Sequence, residues 1–266
     1  MRILAIGDPH GEIPQIKNIV KTEKPEIVIC TGDFSGDEGI KKLIFKNWGA
    51  PWWSVIGKTK AREMIKKATQ KGKKVLSYLN ELGVPVYFIH GNNEHLDSYG
   101  TRVFKKKNIN YMHGKKKKLG SCSFIFHGGY ATPKIFFNPR TLGITEKEAL
   151  KRKKEQEKEK KKIETLFSRS KGKTVFVTHC TPYLYFDKIK NRQSPMNGKH
   201  IGVEAYRELI KKHKPRLYIC GHMHENQGVR KIGSTTAVCL GLSHKYVYLI
   251  DLNRKINIKQ KRISKR

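Results

Sequence analysis

Short apolar runs recur along this chain, and five of them end in the same way. "RILAIGDPHG", "EIVICTGDFSG", "VPVYFIHGNNEH", "KTVFVTHCTP" and "RLYICGHMHE" each join a few residues rich in Ile, Val, Tyr and Phe to a small residue and then to a polar one. Brief, unbroken apolar segments of this composition predict strands buried on both faces. Between the first two, "EIPQIKNIVKTEKP" sets Ile13, Ile16, Ile19 and Val20 at helical spacing, with Pro25 beyond the stop. A strand, a helix and a second strand in this order predict a βαβ unit with parallel strands. A further amphipathic stretch over 61–82 precedes the third strand, and "IGVEAYRELIKKHKP" precedes the run at 216–220. The alternation predicts an α/β fold.

The polar residues at the strand ends are the candidate chemistry. They are Asp8 and His10, Asp33, Asn92, His179, and His222 with His224. Taken alone, two histidines one residue apart are as readily packed or surface side chains as ligands. Open α/β sheets bind ligands at the carboxyl ends of their strands, so parallel neighbours would bring all of these residues to one edge. Five matching strand ends therefore predict a metal centre. Its donors are nitrogen and oxygen with no thiolate, a set that suits Mn, Fe, Zn, Ni or Mg more than a structural zinc.

In that order and strand context the residues resemble the calcineurin-like metallophosphoesterase superfamily. Its motifs stand here as Asp8-Pro9-His10, Gly32-Asp33-Phe34-Ser35-Gly36, Gly91-Asn92-Asn93-Glu94, His179 and Gly221-His222-Met223-His224. The stretch from "GKHIGVEAYRELI" to "CGHMHENQGVRKIGSTTAV" is similar to a branch of small archaeal and bacterial phosphoesterases related to cyclic-nucleotide phosphodiesterases. The resemblance implies a four-layer α/β/β/α sandwich of two mixed β-sheets, with a dinuclear site at the strand C-terminal ends. It implies that Asp8, His10, Asp33 and His224 hold one metal. Asp33 would bridge to a second metal completed by Asn92, His179 and His222. Two positions depart from the family pattern. Gly36 replaces an Asp that closes the second motif, at no loss of a ligand. Asn93 stands where the family places the histidine thought to protonate the leaving group.

An amide cannot give up a proton, and general acid help is worth about 10²–10⁴-fold. His95 and His200 are the candidate replacements, beside the reading that each simply packs near the site. Glu94 is expected to orient a ligand from behind. Two dications about 3.5–4 Å apart can share a hydroxide and clamp a phosphoryl oxygen, with in-line attack by the hydroxide. Asp8, Asp33 and that hydroxide leave one net positive charge, which matches the single negative charge of a phosphodiester.

Composition adds an anomaly. Among 266 residues, 56 Lys and Arg face 22 Asp and Glu, a formal net charge of +34. Such a field attracts polyanions, nucleic acid and nucleotides among them, unless the lysines are only a solvated surface. No apolar run approaches the ~20 residues of a membrane span. Residues 2–7 already read as strand, which leaves no room for a secretory leader. Five cysteines, odd in number and without a CxxC pair, read as the reduced thiols of a cytoplasmic protein.

Two segments stand outside the motifs. "KNWGAPWWSVIG" carries all three tryptophans, Trp48, Trp52 and Trp53, and its Gly49 and Pro51 argue against a helix. It reads as a hydrophobic pin or dimer contact, or as an aromatic loop able to stack a base. Residues 146–167 have helix-forming composition, yet between Lys147 and Lys162 only Ala149 and Leu150 are apolar. That helix is expected to project into solvent, and with "KKKK" at 115–118 and the tail "KQKRISKR" it could track a phosphate backbone. The sequence thus predicts a single domain over 1–266, with a Trp-containing helical insertion near 40–83 and a projecting basic helix near 145–168. The expected activity is a dinuclear metal-dependent phosphodiesterase acting on nucleotides or nucleic acid, with manganese foremost. The alternatives are a phosphomonoesterase or protein phosphatase, and a basic nucleic-acid-binding protein on the same scaffold.

Overall fold

The computed structural model describes residues 1–48, 51–99, 106–129, 131, 133, 144–170 and 173–263. Four parallel strands, β1 (Arg2–Ile6), β2 (Ile27–Cys30), β3 (Val86–Phe88) and β4 (Ile109–Tyr111), form one side of the first sheet. The antiparallel pair β11 (Tyr246–Leu252) and β12 (Ile256–Arg262) completes it against β1. The second sheet runs β5-β6-β7-β8-β10-β9, from β5 (Lys115–Leu119), β6 (Cys122–His127), β7 (Lys173–Thr178), β8 (Leu217–Cys220), β9 (Gly228–Ile232) and β10 (Thr235–Cys239). Its four inner strands are parallel, while β5 and β9 are antiparallel at the edges. Both sheets are therefore mixed.

Alternation along each strand divides the apolar side chains among three cores. Ile3, Ile29, Phe124, Val177, Ile219 and Ile250 lie in the core between the sheets. Their neighbours Leu4, Val28 and Phe88 face outward, against Val75, Leu76 and Leu79 of α4 (Lys58–Asn80). On the far side, Ile125, Phe176 and Tyr218 meet α6 (Glu146–Ser168) through Ile163 and Phe167, and α7 (Glu204–His213) through Tyr206, Leu209 and Ile210. Helix, sheet, sheet and helix stack as the four layers expected. Being covered on both faces is why these strands read as unbroken apolar runs.

The helices depart from the sequence pattern in places. Helix α1 covers only Lys17–Glu23: Ile16 is buried, but Ile13 is 38% exposed. Ile13 precedes Pro14, whose ring disfavours helical backbone at the residue before it. Helix α2 spans Ile40–Lys46. A short helix, α3, spans Trp52–Ile56, contrary to the helix-free segment expected from Gly49 and Pro51. Pro51 is its N-cap residue, just outside the helix, where a missing N–H costs nothing. Gly49 lies outside the described residues. Trp52 is buried and edge-on to Trp53, which is 48% exposed. A single turn, α5, follows at Leu96–Tyr99.

Helix α6 is exposed through most of its basic middle, but its C-terminal turns are fastened. Ile163 and Phe167 are buried, Phe167 stacks on the His213 ring at 4.5 Å, and Lys160 pairs with Glu208 of α7. The apolar residues that do this follow the lysine-rich window, which is why that window alone predicted a free helix. All five cysteines are unpaired and buried. No described helix is long and apolar enough to cross a membrane.

Candidate metal centre

The turns after the strands hold their polar residues in an uncommon backbone conformation. His10, Asp33 and His222 have φ of 48°, 54° and 68°, in the left-handed region that few residues other than Gly enter, Asn, Asp and His most often among them. Each costs on the order of 1 kcal/mol, a strain found where a site requires a particular side-chain direction. Close backbone approach helps set these turns. A Cβ on Gly221 would lie 2.3 Å from Asp8 Oδ1, and one on Gly32 would lie 2.3 Å from the Gly91 nitrogen.

The donor atoms fall into two sets. Asp8, His10 and His224 offer one group whose ligand atoms all lie within 4.8 Å of one another, and Asp33, His179 and His222 offer a second. In the first, His224 Nε2 is 3.0 Å from Asp8 Oδ2 and 3.1 Å from His10 Nε2. Asp33 joins the sets, with Oδ2 3.6 Å from His10 Nε2 and Oδ1 3.6 Å from His179 Nε2. Asn92 Oδ1 completes the second at 2.9 Å from His179 Nε2. The structure thus brings all seven residues named from the strand ends to one place.

The chemistry of these contacts fits cations. His179 Nδ1 lies 2.8 Å from the Thr31 carbonyl, which can only accept, so Nδ1 carries the proton in the neutral ring. Nε2 then turns a lone pair toward two further acceptors, Asn92 Oδ1 and Asp33 Oδ1. In that neutral form the lone pairs face one another and call for a shared positive charge, a proton or a metal ion. His10 Nδ1 is also buried without a hydrogen-bond partner.

Electrostatics agree. Burial alone would push the Asp33 carboxyl up, but the imidazoles of His179 and His10 outweigh it and hold it at about 2. Burial works against the charged form of His179, yet the Asp33 and Asp8 carboxylates prevail and raise it. Burial, then His179, brings His222 down to about 3, and burial lowers His10. The lowered His222 and His10 rings beside an ionised Asp33 are in the protonation states that ligation requires, whereas His179, raised by the carboxylates, gives up its proton when a metal binds.

Glu94 holds the site together from behind. Its Oε2 accepts the N–H groups of Asp33 at 2.8 Å and Gly91 at 2.5 Å, and its Oε1 accepts that of Ser35 at 3.0 Å. The carboxylate ties the second motif to the third. Burial and the nearby Asp33 charge push it up to about 7. Asn93 donates to both Asp33 oxygens, from its backbone N–H at 3.0 Å and from Nδ2 at 2.8 Å.

The family profile described as calcineurin-like phosphoesterase matches residues 1–226. The chain belongs to that family. Every candidate ligand of this phosphoesterase lies inside the matched span. No curated protein sequence matches it significantly. Among solved structures, one superposes with a TM-score of 0.71 at 17% identity, covering 99% of both chains. TT1561 of Thermus thermophilus gives 0.58 at 15% identity, again over 99% of each. The phosphopantetheinyl hydrolase of Mycobacterium tuberculosis gives 0.53 at 10%, covering 91% of this chain and 89% of that one. These likenesses concern the fold.

A cavity of about 650 Å³ opens onto His222 and His224 of the phosphoesterase. Phe45 and Trp48 face it on one side, with Ile189 and Met196 from the loop before α7. Neither His95 nor His200 lines it. His95 is exposed just ahead of α5, and His200 Nδ1 is 2.7 Å from Oδ1 of the buried Asp187. The sequence pattern did not point to Ile189 or Met196, which lie in a loop with no periodic signal.

It also missed a second cluster of metal-competent residues: His113, His127 and Glu159. Here the polar atoms are engaged within the protein. Gly128 N–H donates to His113 Nδ1 at 3.0 Å, and His127 sits between the Tyr206 hydroxyl at 2.5 Å and Glu159 at 3.1 Å. The cluster fastens α6 to the end of β6.

Proposed function

We propose that this phosphoesterase is a phosphodiesterase of nucleotide-type substrates. Two divalent cations, manganese foremost, would be held by Asp8, His10, Asp33 and His224 and by Asp33, Asn92, His179 and His222. The observation that carries the reading is the convergence of seven donor side chains in two adjoining sets that Asp33 joins. Bound there, such a pair of ions supplies Lewis acidity toward a phosphoryl oxygen and a water activated at neutral pH.

The chain's own residues do the rest. Thr31 fixes the His179 tautomer, and Glu94 and Asn93 hold the Asp33 carboxylate in place. Only two of the seven donors are carboxylates, so the centre retains positive charge for a singly charged diester. The cavity supports a diester as well, since it leaves room for substituents beyond the scissile bond. His95 and His200, neither of which lines the cavity, are the candidates to replace the acid missing at Asn93, and the pH–rate profiles of His95→Ala and His200→Ala variants test whether either acts.

The measure of the reading is the rate on bis-p-nitrophenyl phosphate against p-nitrophenyl phosphate with Mn²⁺. Diester preference is expected, and a clear monoester preference overturns it in favour of a phosphatase. Metal analysis addresses the remaining reading, a nucleic-acid binder on the same scaffold. Absence of stoichiometric metal in the pure protein would favour that binder. The lysine-rich surface is proposed to attract polyanions, so binding of RNA to the Asp33→Asn protein should weaken steeply with salt. Five buried thiols, all unpaired, support a cytoplasmic setting.

A further inference from the structure

The three tryptophans have different surroundings. Trp52 is buried at 8% exposure and pins its segment, whereas Trp48 is 37% exposed. Trp48 is among the residues that line the cavity. Lys41 and Phe45, four residues apart, share one face of α2, Trp48 follows just past the end of the helix, and all three line the cavity together with His222 and His224. Lys41 Nζ lies over one face of the Phe45 ring, 5.7 Å from its centre, which leaves the other face of that ring for stacking. The opposite wall is apolar, built on the small cluster of Ile189, Met196 and Met223. Lys190 and Lys245 add two more cations to the lining, so three lysines stand against the single carboxylate of Glu225, which accepts the Lys190 backbone N–H at 3.4 Å.

A cavity of about 650 Å³ is in the range of small-molecule sites. Its parts select for shape and charge together. Two aromatic rings offer faces for a planar, sequence-tolerant stack. The metal ligands at one end mark where the scissile phosphate sits, and three lysines offer a place for another anion.

We propose that Phe45 and Trp48 form a base-stacking wall, and that the substrates are nucleotide diesters carrying a second phosphate that Lys41, Lys190 and Lys245 receive. This rests on the phosphodiesterase reading above and narrows it to short, terminally phosphorylated nucleotides.

The test compares three diesters with Mn²⁺-loaded enzyme: 5′-phosphorylated diadenylate, diadenylate without that phosphate, and glycerophosphocholine, which has no aromatic group. Trp48→Ala should lower the kcat/KM preference for diadenylate over glycerophosphocholine roughly tenfold or more, chiefly through KM. Trp48→Phe, which keeps a ring, should restore most of the preference. Trp53→Ala, outside the cavity lining, should leave it unchanged and controls for disturbance of the segment. Lys190→Ala with Lys245→Ala should raise KM for the phosphorylated dinucleotide and not for the unphosphorylated one. Thermal melts and metal content establish that each variant is folded; should Trp48→Ala fail to fold, Phe45→Ala carries the same expectation. An unchanged preference in the folded variants overturns the inference. If wild type cleaves glycerophosphocholine but no nucleotide, the inference falls and the phosphodiesterase reading stands. If it cleaves no diester while cleaving p-nitrophenyl phosphate, the phosphodiesterase reading itself falls.

Discussion

Glu94 has no place in the cavity, yet three N–H groups from two motifs converge on it, which makes Glu94→Ala a sharp perturbation. The change orphans the buried N–H groups of Asp33, Gly91 and Ser35 together. At about 1–1.5 kcal/mol for each lost bond, the cost is about 3–5 kcal/mol. Part of this is offset. The carboxyl is pushed from 4.5 up to about 7, first by burial and then by Asp33, so removing it relieves an unfavourable charge worth about 3 kcal/mol. The net loss is at most about 2 kcal/mol in the metal-free protein. Glu94→Gln should lose less, about 1 kcal/mol, because one oxygen still accepts while the new amide faces a single N–H. Urea unfolding of metal-free protein measures both, with the slope unchanged and the midpoint shifted. Calorimetric titration with Mn²⁺ should show about 10–100-fold weaker binding by Glu94→Ala, since the Asp33 turn loses its anchor. A Glu94→Ala protein with wild-type midpoint and wild-type Mn²⁺ affinity would refute the clamp.

Three further outcomes are expected. Asn93→His should speed cleavage of a diester with a poor leaving group by about a hundredfold or more, and bis-p-nitrophenyl phosphate by far less, because nitrophenolate departs without a proton; equal gains on both would remove the missing-acid argument. Gly221→Ala should reduce bound metal at least about tenfold by elemental analysis, because the new Cβ falls 2.3 Å from Asp8 Oδ1; full occupancy would show that Asp8 can move freely. The His127 hydrogen bond, and then Lys162, bring Glu159 down from 4.5 to about 2, so its stabilising effect is present above pH 4.5 and lost as pH falls toward about 2. With Glu159 35% exposed, solvent screening reduces this to about 1 kcal/mol. The stability gap between wild type and Glu159→Gln should close over that window in acid unfolding, and a gap constant with pH would contradict the assignment.

The sequence by itself determined which residues end the strands and which elements carry them. Strands buried on both faces leave unbroken apolar runs, and the residue after each run is fixed in position by the strand before it. Asp8, Asp33, His179 and His222 were legible for that reason, and the family motifs supplied their grouping. Only the tertiary structure decided the contacts that have no local period. His10 and His224 are 214 positions apart and meet at 3.1 Å because β1 and β8, on different sheets, end at the same edge. The three-way grip of Glu94 depends on a turn 61 positions upstream of it. Phe45 and Trp48 acquire a cavity only when the loop before α7 comes to face them. His113, His127 and Glu159 gather from two strand ends and a solvent-washed helix, a meeting that no stretch of the chain foretells. Periodicity reports what a segment buries, whereas a site is made of what separate segments bring to one place.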